Sequence, residues 1–270
     1  MKSQQDLPSQ EVVGLIPAGG QATRIAPLPC SKELFPVGFL PAKEGKGLRP
    51  KVASHYLLEK MRCAGISKAY IVMRPGKWDI PAYFGDGSML DMDLAYLMLG
   101  APFGVPFTLD QAYPFVREAT VAFGFPDILF DSEEGFAKLL AWRASHTTAD
   151  VILGLCQARH AASKEDRVDI TESGEVREMV VKPSESHLPH SWAIALWKPN
   201  FTHFLHDYVA DRKFVAPQLE ELSAGHVIKA AMAAGLRIEG VVISNEPYLD
   251  IGTPDDLILA VNNWARINHA

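Results

Sequence analysis

Two cations, two carboxylates and a third cation far along the chain carry the chemistry this sequence offers. Arg24 and Lys32 stand eight residues apart, directly behind the stretch Pro17-Ala18-Gly19-Gly20-Gln21-Ala22-Thr23. Glycines in such a loop let backbone N–H groups approach a phosphate closely, and a guanidinium adds a rigid fork for its oxygens. Lys32 is a second cation for the same anion. The loop is neither GxxxxGK[ST] nor GxGxxG running straight into a helix, so neither of those phosphate motifs applies. Read alone, it is equally an ordinary strand-to-loop turn with a surface arginine. Asp127 follows the apolar run VAFGFP, and Asp250 stands in YLDIGTPDDLILAVNN. Magnesium takes hard oxygen ligands and keeps several waters, so one or two carboxylates plus phosphate oxygens suffice for it. Each aspartate taken singly is as much a turn former or helix cap. Lys182, in Val-Val-Lys-Pro-Ser, is the third cation, and its plain alternative is an exposed hairpin lysine.

The elements that must position these groups alternate between short apolar runs and segments of helical period. Residues 11–17 (EVVGLIP) predict a buried strand that delivers the glycine loop. Residues 51–64 predict a helix, with Val52, Tyr56, Leu57 and Met61 on one face. Further strands are predicted at 69–73, 94–99, 120–124, 151–156, 193–197 and 241–244, and a hairpin at 168–181 turning at Ser173-Gly174. Asp131 with Glu134 predicts a capping-box start to a helix carrying Phe136, Leu139, Leu140 and Trp142. Helices are also expected at 201–209 and 226–234. A last helix opens at Thr253-Pro254-Asp255-Asp256, with a cap, a proline and acid in its first turn. Alternation of this kind predicts an α/β layered domain around a largely parallel sheet, with ligands beyond the carboxyl ends of the strands.

Composition narrows the function classes. The chain has 270 residues, 48% hydrophobic and 21% charged, which is a soluble globular balance and excludes disorder as a description of the whole. Its 26 Lys and Arg against 32 Asp and Glu give a net charge of −6, unsuited to general nucleic-acid binding. The polar opening MKSQQDLPSQ lacks the apolar stretch of a signal peptide, and no run approaches the roughly 20 apolar residues of a membrane span. Cys30, Cys63 and Cys156 form no CxxC pair, which fits a reducing compartment and argues against a cysteine-built zinc site. A cytoplasmic protein with no membrane or nucleic-acid partner is expected. Residues 11–268 are read as one domain behind a polar tail at 1–10.

The ordered string LIPAGGQATRIAPLPCSKELFPVG resembles the signature AAGxGTRLxPxT…(P/S)KxLxPV of the sugar-1-phosphate nucleotidyltransferases (sugar-nucleotide pyrophosphorylases). The Ser31-Lys32-Glu33-Leu34 ending is most similar to the glucose-1-phosphate thymidylyltransferase branch. Asp127 resembles the aspartate of the family's LGD motif, with Pro126 for its glycine. Asp250 matches WxDxGTPxxxxxA, and Lys182 resembles the lysine of EKP. The resemblance runs from about residue 12 to 260, with the motifs in family order. It implies a three-layer α/β/α Rossmann-like fold with a mixed, mostly parallel sheet, a homo-oligomer, and no appended β-helix within these residues. It further implies magnesium held by Asp127 and Asp250, and a reaction joining a nucleoside triphosphate to a sugar-1-phosphate with release of pyrophosphate. Ala18, Gly19, Gly20, Gln21, Ala22 and Thr23 would then bind nucleotide, with Arg24 and Lys32 on the triphosphate and Lys182 on the attacking phosphate. A phosphate monoester is already ionised at neutral pH, so no general base is required, and His187 and His190 are read as solvated loop residues.

Several positions depart from the family pattern. Ala22 replaces a glycine, and the Arg24–Lys32 interval is two residues shorter. Leu99 falls where the family has a base-reading Gln, with Gly104 retained a few residues on. Leucine cannot make that paired hydrogen bond, so the base preference is open. On the sugar side Val181 replaces the Glu of EKP, the glycine before the hairpin falls within 165–168 (EDRV), and Ala195 replaces the glycine of the AGxY strand. These changes point away from plain glucose-1-phosphate, toward an unusual sugar, a cyclitol or a smaller alcohol. Two alternatives compete: a weakly catalytic or regulatory nucleotide-binding homologue, and a glycosyltransferase using Asp91-Met92-Asp93, which however precedes its strand.

Overall fold

The computed structural model describes residues 11–42, 47–100, 104–159, 165–212 and 221–267; the expected tail at 1–10 and residue 268 lie outside them. β1 (Val12–Ala18) is the centre of a parallel block. It pairs with β4 (Lys68–Met73) on one side and β6 (Thr120–Gly124) on the other, and β4 pairs with β5 (Asp93–Met98). β11 (His190–Trp197) enters antiparallel between β6 and β8 (Val151–Gln157), and β12 (Ile238–Ser244) closes that edge parallel to β8. The sheet is therefore mixed, with parallel strands wherever a helix makes the crossover. The hairpin of β9 (Arg167–Ile170) and β10 (Val176–Val180) joins β11 through His190↔Val168, beyond the end of β6.

Alternate residues of the central strands bury opposite faces, as the period of two demands. Val13, Leu15, Val121 and Phe123 face α3 (Val105–Asp110), α6 (Pro199–Arg212) and α7 (Ala224–Ala233), packing on Phe107, Phe201, Leu205 and Val227. Ile16, Ala18, Ala122 and Ile194 face α1 (Ala53–Cys63) and α5 (Gly135–Ser145), packing on Leu57, Met61, Phe136 and Leu139. This is the three-layer α/β/α arrangement expected. No helix among the described residues is long and apolar enough to cross a membrane.

Two local expectations are corrected. The helix predicted from residue 51 begins at Ala53, because Lys51 and Val52 finish β3 (Leu48–Val52), which pairs antiparallel with β2 (Pro36–Pro41). The capping box at Asp131–Glu134 does not form: Ser132 N–H turns back to Phe130 O, and α5 starts after Glu134 without a side-chain cap. The capping box of this fold is at α7, between Ser223 and His226.

His55, on the buried face of α1, is 3% exposed and its Nδ1 has no hydrogen-bond partner. Burial drives its pKa down from 6.5 to about 4. The neutral ring thus contributes stability that is present above pH 6.5 and is lost as pH falls toward 4. The loss reaches about 3 kcal/mol. Urea unfolding of wild type and His55→Leu at pH 7 and pH 4.5 checks this: the wild type should lose the larger increment, and equal losses would refute it.

Candidate active site

The first loop leaves β1 at Ala18, which is buried, and emerges through Gly19 and Gly20 to the exposed Gln21, Thr23 and Arg24. Ala22 stands at φ +56°, the left-handed conformation that a glycine would adopt freely, and accepts the Ile25 N–H at 3.1 Å. A Cβ there costs about 1 kcal/mol. Ala22→Gly should therefore raise unfolding stability by about that much, read as a shift in the urea midpoint; an unchanged or lower midpoint would mean the loop relieves the strain elsewhere. Lys32 opens a single 3₁₀ turn, Lys32–Leu34. Its ammonium hangs over the loop, 3.5 Å from where a Cβ on Gly20 would stand.

The two aspartates come from distant parts of the chain and are set side by side by a two-stranded ribbon. β7 (Ile128–Leu129) pairs antiparallel with β13 (Leu249–Asp250), placing Asp250 opposite Ile128. Ile251 N–H then donates to Asp127 O at 3.1 Å. Each carboxylate already holds one of the loop cations: Lys32 bonds Asp127 Oδ2, and Arg24 Nη2 donates to Asp250 Oδ2 at 3.0 Å. The pairs differ in depth. Lys32 and Asp127 side chains are 13% and 10% exposed, Arg24 and Asp250 41% and 31%. Burial alone would raise the Asp127 carboxyl, but the Lys32 charge and hydrogen bond outweigh it and hold the group below its ordinary range. Burial would likewise lower the Lys32 ammonium, and Asp127 more than restores it.

Asp250 is fixed from three sides. Gly252 N–H donates to its Oδ1 at 2.9 Å, and a Cβ at Gly252 would lie 2.8 Å from that oxygen and 3.0 Å from Arg24 Nη2, so the close approach needs glycine. Its own N–H donates to Asp256 Oδ2 at 3.0 Å. Asp256, in the first turn of α8 (Pro254–Ile267), is held in turn by Arg159 Nη1 at 2.6 Å, while Arg159 Nη2 donates to Tyr248 O. Arg159 and Asp256 thus position the ribbon, a role invisible in the sequence because its partners are far apart along the chain.

A second group lies at the end of the β9–β10 hairpin. Val180 pairs with Arg167 at the end of the hairpin, and Asp166 and Val181 are the next residues beyond it on the two chains. Lys182 is exposed and stands at φ +42°, and its N–H donates to Asp166 Oδ1 at 3.2 Å. Asp166 Oδ2 takes the Trp192 indole N–H at 3.0 Å. Burial holds the Asp166 carboxyl above its ordinary range. Tyr248 is buried, and its phenol is pushed well up, by burial first and then by the charges of Glu165, Asp166 and Asp250.

Other expected site residues fall differently. Ala195 is fully buried, opposite Phe123 and Leu153 in the core, and lines no open cleft. Leu99 is 3% exposed and packs against Gly19, forming an apolar wall under the loop. Gly104 is buried at the start of α3, paired with Leu222. Asp91 and Asp93 lie at the amino end of β5, the opposite edge of the parallel sheet from Arg24 and Asp127, which removes the basis for a DxD site there. His187 is exposed and His190 half-buried.

No family model matches the chain. It is 23% identical to a low-salt glycan biosynthesis nucleotidyltransferase of Haloferax volcanii over 256 residues, 92% of this chain and 64% of that protein. The chain therefore spans about two-thirds of the length of that relative, just short of it. A Bacillus anthracis protein assigned as a glucose-1-phosphate thymidylyltransferase, solved with sucrose, superposes with a TM-score of 0.77 at 17% identity, over 96% of this chain and 97% of that one. A UDP-glucose pyrophosphorylase solved with UDP-glucose superposes with a TM-score of 0.72 at 17% identity, over 93% and 97%. The fold is that of the sugar-1-phosphate nucleotidyltransferases, as the motifs implied.

Proposed function

We propose that this chain, on the sugar-1-phosphate nucleotidyltransferase fold, couples a sugar-1-phosphate or sugar-like phosphate to a nucleoside triphosphate, releasing pyrophosphate and giving a nucleotide-linked product. The observation that carries the reading is the double ion pair, Arg24–Asp250 and Lys32–Asp127, gathered at the carboxyl ends of β1, β6 and β13. Two polyanions must be brought together in this reaction, so catalysis is mostly charge neutralisation and in-line alignment. In this reading the backbone from Gly19 to Ala22, with Arg24 and Lys32, holds the triphosphate and the leaving pyrophosphate. Lys182 holds the attacking phosphate. The cations satisfy the carboxylates, and in this reading they turn to phosphate when substrate binds.

The freed carboxylates fit magnesium: Asp127 and Asp250 are two hard oxygen donors on adjacent strands, and substrate phosphates would complete the shell. When bound, magnesium supplies charge neutralisation of the reacting phosphates. On the acceptor side, Asp166 is bonded to the N–H of Lys182, the residue after the position where the family has Glu and this chain has Val181. Asp166 is thus suited to take over contacts with acceptor hydroxyls, in keeping with an acceptor other than plain glucose-1-phosphate. The three cysteines are free, which supports a reducing, cytoplasmic setting; the reading also includes a homo-oligomer.

Incubation with magnesium, each of the five common triphosphates and a panel of sugar-1-phosphates and cyclitol phosphates, followed by pyrophosphate assay, tests the proposal. Release that requires both substrates is expected. Magnesium-dependent triphosphate binding without release would replace it with the regulatory reading.

A further inference from the structure

We propose that Lys77, in the loop between β4 and α2 (Asp79–Phe84), and Asp79, the first residue of that helix, are positioning residues that hold Lys32 over the phosphate cradle, an inference that rests on the role given to Lys32 above. Lys32 sits on one isolated 3₁₀ turn, and a single turn of that kind has poor hydrogen-bond geometry and little cooperativity of its own. What fixes it comes from outside. The residue before it is gripped by Asp79: Ser31 N–H donates to Asp79 Oδ2 and Ser31 Oγ to Oδ1, each at 2.7 Å. The residue after it is gripped by Lys77, whose Nζ donates to Glu33 Oε1 at 2.6 Å. Both ties reach the same short segment, so the turn that carries Lys32 is clamped at its two ends by one piece of chain.

The Lys77–Glu33 pair is a poor device for stability. Glu33 is 1% exposed and Lys77 5%, so both charges have left water. Glu33 Oε2 is buried with no hydrogen-bond partner at all. Desolvating two ions commonly costs as much as their attraction returns, and apolar replacements are often as stable or more so. What the pair does supply is direction. Together with Ser54 Oγ, which donates to Glu33 O at 2.7 Å, it leaves the turn one orientation, with the neighbouring Lys32 side chain aimed at Asp127 and Gly20. Lys77 pairs with Glu33 and Lys32 with Asp127, so two ion pairs stand on adjacent residues of the turn. A misplacement of about 1 Å at such a site costs up to about a hundredfold.

The test is calorimetric titration of inorganic pyrophosphate with magnesium into the full chain, which needs no knowledge of the acceptor. Lys77→Met and Asp79→Ala should each weaken pyrophosphate binding about tenfold, and Lys77→Arg should recover most of the loss. In a Lys32→Met background neither substitution should weaken it further, because the ammonium they position is gone. Should Lys77→Met fail to fold, the paired Glu33→Leu/Lys77→Met variant removes both buried charges at once, and Asp79→Ala carries the comparison from the other end. Wild-type affinity in folded Lys77→Met and Asp79→Ala, or losses that multiply in the double variants with Lys32→Met, would overturn the clamp while leaving the enzymatic reading intact. A wild-type chain that neither binds nor releases pyrophosphate would overturn both.

Discussion

Asp127→Ala will lower pyrophosphate release by about a thousandfold and also lower unfolding stability by about 2 kcal/mol. The kinetic loss follows from the proposed role of the carboxylate, one of two oxygen donors available to magnesium at the reacting phosphates. The stability loss has a separate origin. Asp127 and Lys32 are nearly enclosed, and removing one partner leaves the ammonium in low dielectric without its bonded carboxylate, with Glu33 and Asp250 acting only through space. A fully buried pair broken in this way costs about 3–5 kcal/mol, and the slight exposure of both side chains brings the figure down. Steady-state pyrophosphate release and urea unfolding read the two effects independently. Turnover within tenfold of wild type would remove Asp127 from the catalytic set.

Asp250→Ala should give a comparable kinetic loss with a stability change below about 1 kcal/mol. Its partner Arg24 is much more open to water, and an exposed guanidinium released from its carboxylate is rehydrated at little cost. Two aspartates with one proposed chemical task therefore separate when activity and stability are plotted together. Were Asp250→Ala as destabilising as Asp127→Ala, the Arg24 pair would have to be closed from solvent in the working protein, contrary to its exposure.

The residues proposed to carry chemistry were legible because they sit in ordered local strings: the first-strand loop, the KEL turn, the aspartate after β6 and the GTP turn before α8. The central strands were legible because continuous apolar runs of five to seven residues have few other uses. The β2–β3 ribbon was not, since Pro36, Pro41 and Pro50 lie within it and proline in a strand argues against the assignment until an edge position is known. α4 (Tyr113–Val116) is too short for a helical period to show. The bonds Lys77–Glu33, Asp79–Ser31 and Arg159–Asp256 span 44 to 97 residues, and no local pattern announces them.

The ribbon between β7 and β13 has a consequence for the protein as it is made. Arg24 waits for a carboxylate 226 residues further on, whereas Lys32 waits for one only 95 residues away. During synthesis the inner pair is complete long before the outer one, and the cradle of the nascent chain carries an unbalanced guanidinium until residue 250 leaves the ribosome. On the proposed mechanism, catalytic competence arrives only with residue 250, and a chain stopped before it keeps Arg24, Lys32 and Asp127 without the second carboxylate.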